Sequence, residues 1–127
     1  VLPVASMAAI GHRIQLRNYH TTNTGSNNAY GIVGETSFAT ATNSGSITAT
    51  SESNFAFGVS GGTSATVTNS GSITATSSNG SYGAYASASA TVTNSGSITA
   101  TATGAGNAYG VYGGAASSLV NTGTISA

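Results

Sequence analysis

Apolar and polar residues alternate along short segments of this chain, and the same segments return at regular intervals. In SATVTN (residues 64–69), Ala65 and Val67 fall on one side of an extended chain and Thr66 and Thr68 on the other. The segment GSITAT that follows alternates in the same way. Gly, Ser and Asn separate these segments, and no repeat shows the period of an amphipathic helix. The pattern predicts short β-strands throughout.

The segments are arranged in a repeat. NSGSITAT begins at Asn43, Asn69 and Asn94, and a degenerate copy, NTGTISA, begins at Asn121, with steps of 26, 25 and 27 residues. Each unit also holds an aromatic residue, a Gly and usually a branched residue, which gives three strand segments per unit. Antiparallel hairpins would need turns and longer strands than this spacing leaves. The sequence therefore predicts an all-β fold: a three-sided parallel β-helix, or β-solenoid, of about 26 residues per coil.

Stacked coils place equivalent residues above one another at about 4.8 Å. An aromatic residue and the branched residue two positions later, such as Tyr30 and Ile32, should share the interior face of a strand. The predicted interior columns are Tyr30, Phe57, Tyr82 and Tyr109; Ile47, Ile73, Ile98 and Ile125; and Ala41, Val67, Val92 and Leu119.

A corner of the coil carries the repeated asparagine. Stacked side-chain amides can hydrogen-bond along the axis as an asparagine ladder. The predicted rungs are Asn43, Asn69, Asn94 and Asn121. A glycine follows each of them two residues later and is expected to supply a positive φ at the corner. These glycines are Gly45, Gly71, Gly96 and Gly123.

Threonines occupy the outward positions of two strand segments. Flat threonine arrays of this kind order water in ice-binding β-solenoids, although Thr is also simply well suited to the outer face of a parallel sheet. One rank is Thr40, Thr42, Thr66, Thr68, Thr91 and Thr93, and the other is Thr48, Thr50, Thr74, Thr76, Thr99 and Thr101.

The N-terminal part departs from the repeat, and we divide the chain into a segment 1–25 and a four-coil solenoid 26–127. IQLRN (residues 14–18) matches ATATN before Asn43, which predicts a degenerate first coil with Asn18 in register with Asn43. The apolar VLPVASMAAI (residues 1–10) is interpreted as a cap or docking strand, or as the remnant of a processed signal.

Composition excludes several functions. Charged residues make up 3% of the chain, against about a quarter in ordinary proteins, and none lies in residues 53–127. Such a surface has no attraction for phosphate backbones or acidic lipids, so we expect no nucleic-acid partner. The chain has no cysteine for a disulfide or a thiolate site. No apolar run reaches the roughly 18 residues of a transmembrane helix.

The same shortage of charge argues against catalysis. The only carboxylate side chains, Glu35 and Glu52, lie at positions of successive repeats that are not equivalent, so they need not form an acid and base pair. His12 and His20 could join Glu35 around a metal, but surface histidines are the simpler interpretation. We expect no catalytic residue, no metal site and no cofactor.

The motif N-[ST]-G-x-I, at residues 43–47, 69–73, 94–98 and 121–125, occurs with A-[YF]-G-[IV] segments between its copies. In these residues the chain resembles the repeats of bacterial autotransporter passengers and related haemagglutinin-like secreted β-helix proteins. The resemblance implies a right-handed coil, secretion to the bacterial cell surface, adhesion and aggregation, and cell-surface or matrix partners.

Together these patterns lead us to expect a non-catalytic extracellular structural or adhesive solenoid. Few charges and incompletely capped ends favour self-association with copies of itself, head to tail into a filament. Two alternatives remain open: an ice-binding protein that uses the threonine ranks, and a monomeric passenger fragment of a larger surface adhesin.

Overall fold

Strands account for all the regular structure in the parts of the chain that the computed structural model describes, which are residues 13–23, 27–34 and 38–127. Within these ranges no helix is long and apolar enough to cross a bilayer. The strands are β1 (Arg13–Asn23), β2 (Ala29–Gly34), β3 (Phe38–Ser51), β4 (Phe55–Gly61), β5 (Ser64–Asn69), β6 (Ser72–Ser77), β7 (Gly80–Ala86), β8 (Ser89–Asn94), β9 (Ser97–Ala102), β10 (Ala108–Tyr112), β11 (Ser118–Asn121) and β12 (Thr124–Ser126).

Each strand pairs in parallel with its equivalent in the next coil. The strands β2, β4, β7 and β10 form a four-stranded sheet, which we call the aromatic sheet. The others form an eight-stranded sheet in the order β11-β8-β5-β3-β6-β9-β12, with β1 also paired to β3; we call it the threonine sheet. In the first coil β3 runs through the asparagine corner without a break, whereas later coils divide there into two strands. The predicted fold is confirmed: a parallel β-solenoid of about four turns with coils of about 26 residues.

The interior is built from two of the three predicted columns. Ile47, Ile73 and Ile98 are fully buried, as are Val67 and Val92 with Ala41 at the same level of the first coil. In the fourth coil the expectation of burial is wrong, because that coil has a neighbour on one side only: Leu119 is exposed and Ile125 is half-buried. A residue of these columns is therefore fully buried only where a coil is stacked on both sides of it.

The aromatic column forms, but it lies outside the core, so that prediction is wrong. Tyr30, Phe57, Tyr82 and Tyr109 are only half-buried, whereas the branched residue two positions later is buried in the first two coils, at Ile32 and Val59. Strict alternation fails because the intervening glycine and the branched residue both face inward.

The physical reason is a lack of space in the interior. A Cβ placed on Gly58 would collide with Cγ2 of Ile73 and with the carbonyl oxygen of Gly83 in the next coil. The isoleucine on the opposite wall already occupies the volume that a side chain at this level would need. The strand accordingly turns its aromatic residue to the outer face.

The corner glycines have a different role from the predicted one. Gly71, Gly96 and Gly123 do not have a positive φ. A Cβ on each would instead collide with the backbone carbonyl of the equivalent glycine one coil earlier, such as that of Gly45 below Gly71. Glycine is required here because the corner backbones of adjacent coils approach too closely for any side chain.

The N-terminal strand pairs with the first coil at a register that differs from the predicted one. Ile14 lies opposite Ala41 and Leu16 opposite Asn43, two residues further along than the match to ATATN indicated. An irregularity between Leu16 and Asn18 then places Asn18 opposite Ser46. Asn18 is therefore not in register with the asparagine ladder. Residues 1–10, interpreted as a cap or docking strand, lie outside the described residues.

Candidate functional site

The asparagine ladder is present and runs along the whole solenoid. Asn43 Nδ2 donates to Asn69 Oδ1 at 2.7 Å, Asn69 Nδ2 to Asn94 Oδ1 at 2.7 Å, and Asn94 Nδ2 to Asn121 Oδ1 at 2.8 Å. The first three asparagines are buried. Each link spans one coil, at separations of 26, 25 and 27 residues, so the ladder fixes the register of every coil on the next.

Each amide group of the ladder also binds backbone. Asn69 Nδ2 shares its two hydrogens among Asn94 Oδ1, the Gly71 carbonyl at 3.2 Å within its own coil and the Ser97 carbonyl at 3.0 Å in the next. Asn43 and Asn94 repeat this pattern. Asn121 differs, because within the described residues its Nδ2 donates only to the Gly123 carbonyl, at 3.0 Å.

The fourth coil presents an open face. In the described part of the chain, β10, β11 and β12 each pair with one strand only, so their outer edges are unpaired. The large apolar side chains that are exposed there are Tyr112 at 41%, Leu119 at 50% and Val120 at 55%, all in this coil. Unpaired strand edges beside exposed apolar side chains are the features that drive strand addition.

The threonine ranks lie on the outer face of the threonine sheet, as predicted. Thr40, Thr66 and Thr91 are in register along the axis, and so are Thr48, Thr74 and Thr99. All twelve threonines are at least partly exposed. The ranks end at the fourth coil, where Ser118 lies opposite Thr91 and Ser126 opposite Thr99.

A second surface, on the aromatic sheet, was not expected from the sequence. The rings of Tyr30, Phe57, Tyr82 and Tyr109 stack from coil to coil, with centroids 5.1, 4.9 and 5.3 Å apart and interplanar angles of 9°, 7° and 15°. Tyr85 and Tyr112 form a second stack at 5.4 Å and 12°. We call these six rings the aromatic columns.

The two columns meet edge to face. Tyr85 contacts Phe57 at 5.3 Å and 66° and Tyr82 at 5.2 Å and 71°, while Tyr112 contacts Tyr109 at 5.3 Å and 70°. Burial raises the pKa of the Tyr82 hydroxyl, and the neighbouring phenols of Tyr109, Tyr85 and Tyr112 raise it further. The sequence does contain a signal for this surface, because Tyr82 and Tyr85 are three residues apart. When the two residues between them, Gly83 and Ala84, both face inward, both tyrosines lie on the outer face.

Of the residues weighed above for catalysis or metal binding, Glu52 and His20 have described side chains. Glu52 and His20 are exposed, and His20 Nε2 lies 3.0 Å from Thr22 Oγ1. No group of three possible metal-binding side chains occurs among the residues described. His12 and Glu35 fall outside those residues, so the interpretation of all four as ordinary surface groups stays a prediction.

The fold and its surfaces define a β-solenoid repeat protein whose distinctive features are an axial amide ladder, two threonine ranks, paired aromatic columns and an open terminal coil. Comparison with models of known protein families, with curated proteins and with solved structures finds no significant match. The chain is assigned to this class from its own repeat and geometry.

Proposed function

We propose that this chain is a non-catalytic extracellular structural or adhesive β-solenoid that associates with copies of itself, head to tail, into a filament. The observation that carries the proposal is the open face of the fourth coil, with its unpaired edges on β10, β11 and β12 and its exposed Leu119. The resemblance of the N-[ST]-G-x-I repeats to secreted bacterial surface proteins supports the extracellular setting and the adhesive role.

The opposite end offers a matching edge. Among the described strands β1 pairs only with β3, and in the proposed filament its other edge pairs with β11 and β12 of a second copy. Such a contact repeats one geometry from copy to copy and does not close, so it builds a filament. The charged side chains Arg13 and Arg17 lie in the N-terminal strand, whereas the fourth coil has none. This asymmetry favours a head-to-tail joint over a symmetric one.

Adding a coil would bury apolar side chains and satisfy strand edges together. Burying a Leu or Val fully contributes about 1.5–3 kcal/mol, and each new backbone hydrogen bond about 0.5–1.5 kcal/mol. The loss of translational and rotational freedom costs about 4–15 kcal/mol. Covering Leu119 and Ile125 while β11 and β12 pair with β1 of a second copy gives both contributions at once, and together they can offset that cost.

The substitution Leu119→Glu tests this association. A glutamate at position 119 remains hydrated in a single molecule, because the side chain there is half exposed, but a stacked coil would bury its charge. We expect wild-type protein to form unbranched fibres in negative-stain electron microscopy, with an axial repeat close to a whole number of ~4.8 Å coils. The variant should give only discrete particles.

The matched control is Thr93→Glu, which adds the same charge to an exposed outward position in the third coil. This variant should still form fibres. Circular dichroism confirms that both variants keep their β-structure. Wild-type protein that sediments as a monomer at every concentration tested would contradict the proposal and favour a monomeric passenger fragment.

The threonine ranks support a second candidate function, ice binding. Four columns of threonine run along one sheet in parallel register, with their hydroxyls at the coil spacing. For this candidate the expected result is that wild-type protein inhibits ice recrystallisation and that Thr74→Tyr abolishes the effect by interrupting the array. Ala105→Tyr, at an exposed position of a turn, should leave it intact. A wild-type protein without inhibition excludes the candidate.

A further inference from the structure

Four tyrosines from the third and fourth coils lie side by side on the aromatic sheet. Tyr82 stacks on Tyr109 at 5.3 Å, and Tyr85 stacks on Tyr112 at 5.4 Å. Edge contacts join the two stacks, with Tyr82 to Tyr85 at 5.2 Å and Tyr82 to Tyr112 at 5.8 Å. Every ring of this group, which we call the tyrosine cluster, therefore has another phenol within contact distance.

The orientation of the rings argues against a platform for a stacked ligand. Rings in successive coils lie nearly parallel, at interplanar angles of 15° or less, so Phe57 and Tyr82 are covered on both faces and the end rings of each column on one. A ring that is covered on both faces can meet solvent only through its edge. Tyr112 is the most exposed, at the open end of its column. A phenoxyl radical couples through the Cε carbons, which lie on the edge of the ring beside the hydroxyl.

We propose that the tyrosine cluster is an oxidative cross-linking site, at which a peroxidase-class one-electron oxidant using hydrogen peroxide joins Tyr85 to Tyr112 through a dityrosine bond. The two residues are 27 positions apart and belong to adjacent coils, so the bond fastens the third coil to the fourth. The chain has no cysteine, so this bond would supply the covalent link between coils that a disulfide supplies in other proteins.

The chemistry balances without any group from the protein besides the two phenols. Each tyrosine loses one electron and its hydroxyl proton to the oxidant and becomes a phenoxyl radical. The two radicals form one carbon–carbon bond between Cε atoms, and the hydrogen on each of those carbons moves to the ring's own oxygen. The net change is the loss of two hydrogen atoms from the protein and the reduction of one hydrogen peroxide to two waters.

The other two tyrosines of the cluster, Tyr82 and Tyr109, give the oxidant two further phenols with which to react. A radical first formed on Tyr82 or Tyr109 lies within contact distance of the second column, so it can take an electron and the hydroxyl proton from Tyr85 or Tyr112, which then carries the radical. Burial, and after it the neighbouring phenols of Tyr109, Tyr85 and Tyr112, raise the pKa of Tyr82, which agrees with the close packing of these rings. The cluster thus connects its other rings to the pair that contains Tyr112, its exposed member.

The first coil contains an internal comparison. Tyr30 holds the same column position as Tyr82, but its stacking partner in the second coil is Phe57, which has no phenolic hydroxyl. Oxidation should therefore leave Tyr30 without a bond to the second coil. The substitution Phe57→Tyr supplies the missing phenol at 5.1 Å between ring centroids and should create a new cross-link to Tyr30.

The test treats dilute folded protein with peroxidase and hydrogen peroxide and measures dityrosine fluorescence and intact mass. Because the chain has no Lys and both Arg lie before residue 18, elastase rather than trypsin should be used to map the linked peptides. We expect a monomer lighter by two hydrogen atoms, with a Tyr85–Tyr112 link. Tyr85→Phe and Tyr112→Phe keep the rings stacked and should each lose this link, whereas Tyr30→Phe should keep it.

Two results would overturn the proposal. One is dityrosine that forms only between molecules, so that its yield per chain rises with protein concentration. The other is a yield that needs neither the fold nor these two phenols, seen as an equal yield in denaturant, where the coils are separated, or in the double variant Tyr85→Phe with Tyr112→Phe. Either result would show that the folded chain does not direct coupling to Tyr85 and Tyr112.

Discussion

Replacing Asn69 by alanine should lower the free energy of unfolding by about 4 kcal/mol, because at least two buried polar groups lose a partner at about 1–3 kcal/mol each. The Asn69 side chain accepts from Asn43 Nδ2 at 2.7 Å, donates to Asn94 Oδ1 at 2.7 Å and donates to the Ser97 carbonyl. Alanine removes all three contacts between coils. Urea denaturation followed by circular dichroism measures the change.

The control is Asn121→Ala, at the exposed last rung of the same ladder. Its Oδ1 accepts from Asn94 Nδ2 and its Nδ2 donates to the Gly123 carbonyl, but Asn121 is exposed, so water can replace lost partners there. We expect a smaller loss than for Asn69, about 0.5–1.5 kcal/mol for each of these two hydrogen bonds at most. Similar losses for the two variants would mean that the ladder adds no more inside the solenoid than at its end.

The second large effect is expected for Ile73→Ala, in the middle of the isoleucine column. Ile73 is fully buried between Ile47 and Ile98, and its Cγ2 fills the space left by the absent side chain of Gly58. Truncation leaves a cavity that the hydrogen-bonded coils cannot close, so the loss should be about 2–5 kcal/mol. The same urea titration measures it.

Ile125→Ala is the matched control for the core. Ile125 belongs to the same column but is half-buried, with a stacked neighbour, Ile98, on one side only. We expect its replacement to cost less than half as much as that of Ile73, since less apolar area returns to water. Equal costs would contradict the view that stacking on both sides is what makes this column stabilising.

The sequence predicts much of this architecture because a solenoid repeats one local arrangement. The spacing of Asn43, Asn69 and Asn94 defines the coil, and parallel stacking then requires both the amide ladder and the isoleucine column. The outward threonines follow from the alternation of SATVTN and SITATS. In each case two regularities are sufficient for the prediction: side chains alternate between the two faces along a strand, and equivalent residues recur once per coil along the axis.

The sequence-based predictions are wrong where the alternation of side chains along a strand fails. The sequence predicts an interior Tyr30 because it lies two positions from Ile32, yet Gly31 and Ile32 both face inward. That irregularity depends on Ile47 reaching across the interior to Gly31, a contact between distant segments that no local pattern shows. The same break brings Tyr85 and Tyr112 to the surface, so the tyrosine cluster was missed for the same reason.

The register of β1 has a mechanical consequence. From the first coil to the fourth, each coil is held to the next by an asparagine amide as well as by strand pairing, but β1 has Leu16 opposite Asn43 and so adds no further asparagine to the ladder. A junction formed by β1 of a following copy would therefore lack an asparagine link. If copies join as proposed, a filament pulled along its axis should yield at β1, on one side of that strand or the other, and leave the four coils from Asn43 to Asn121 joined.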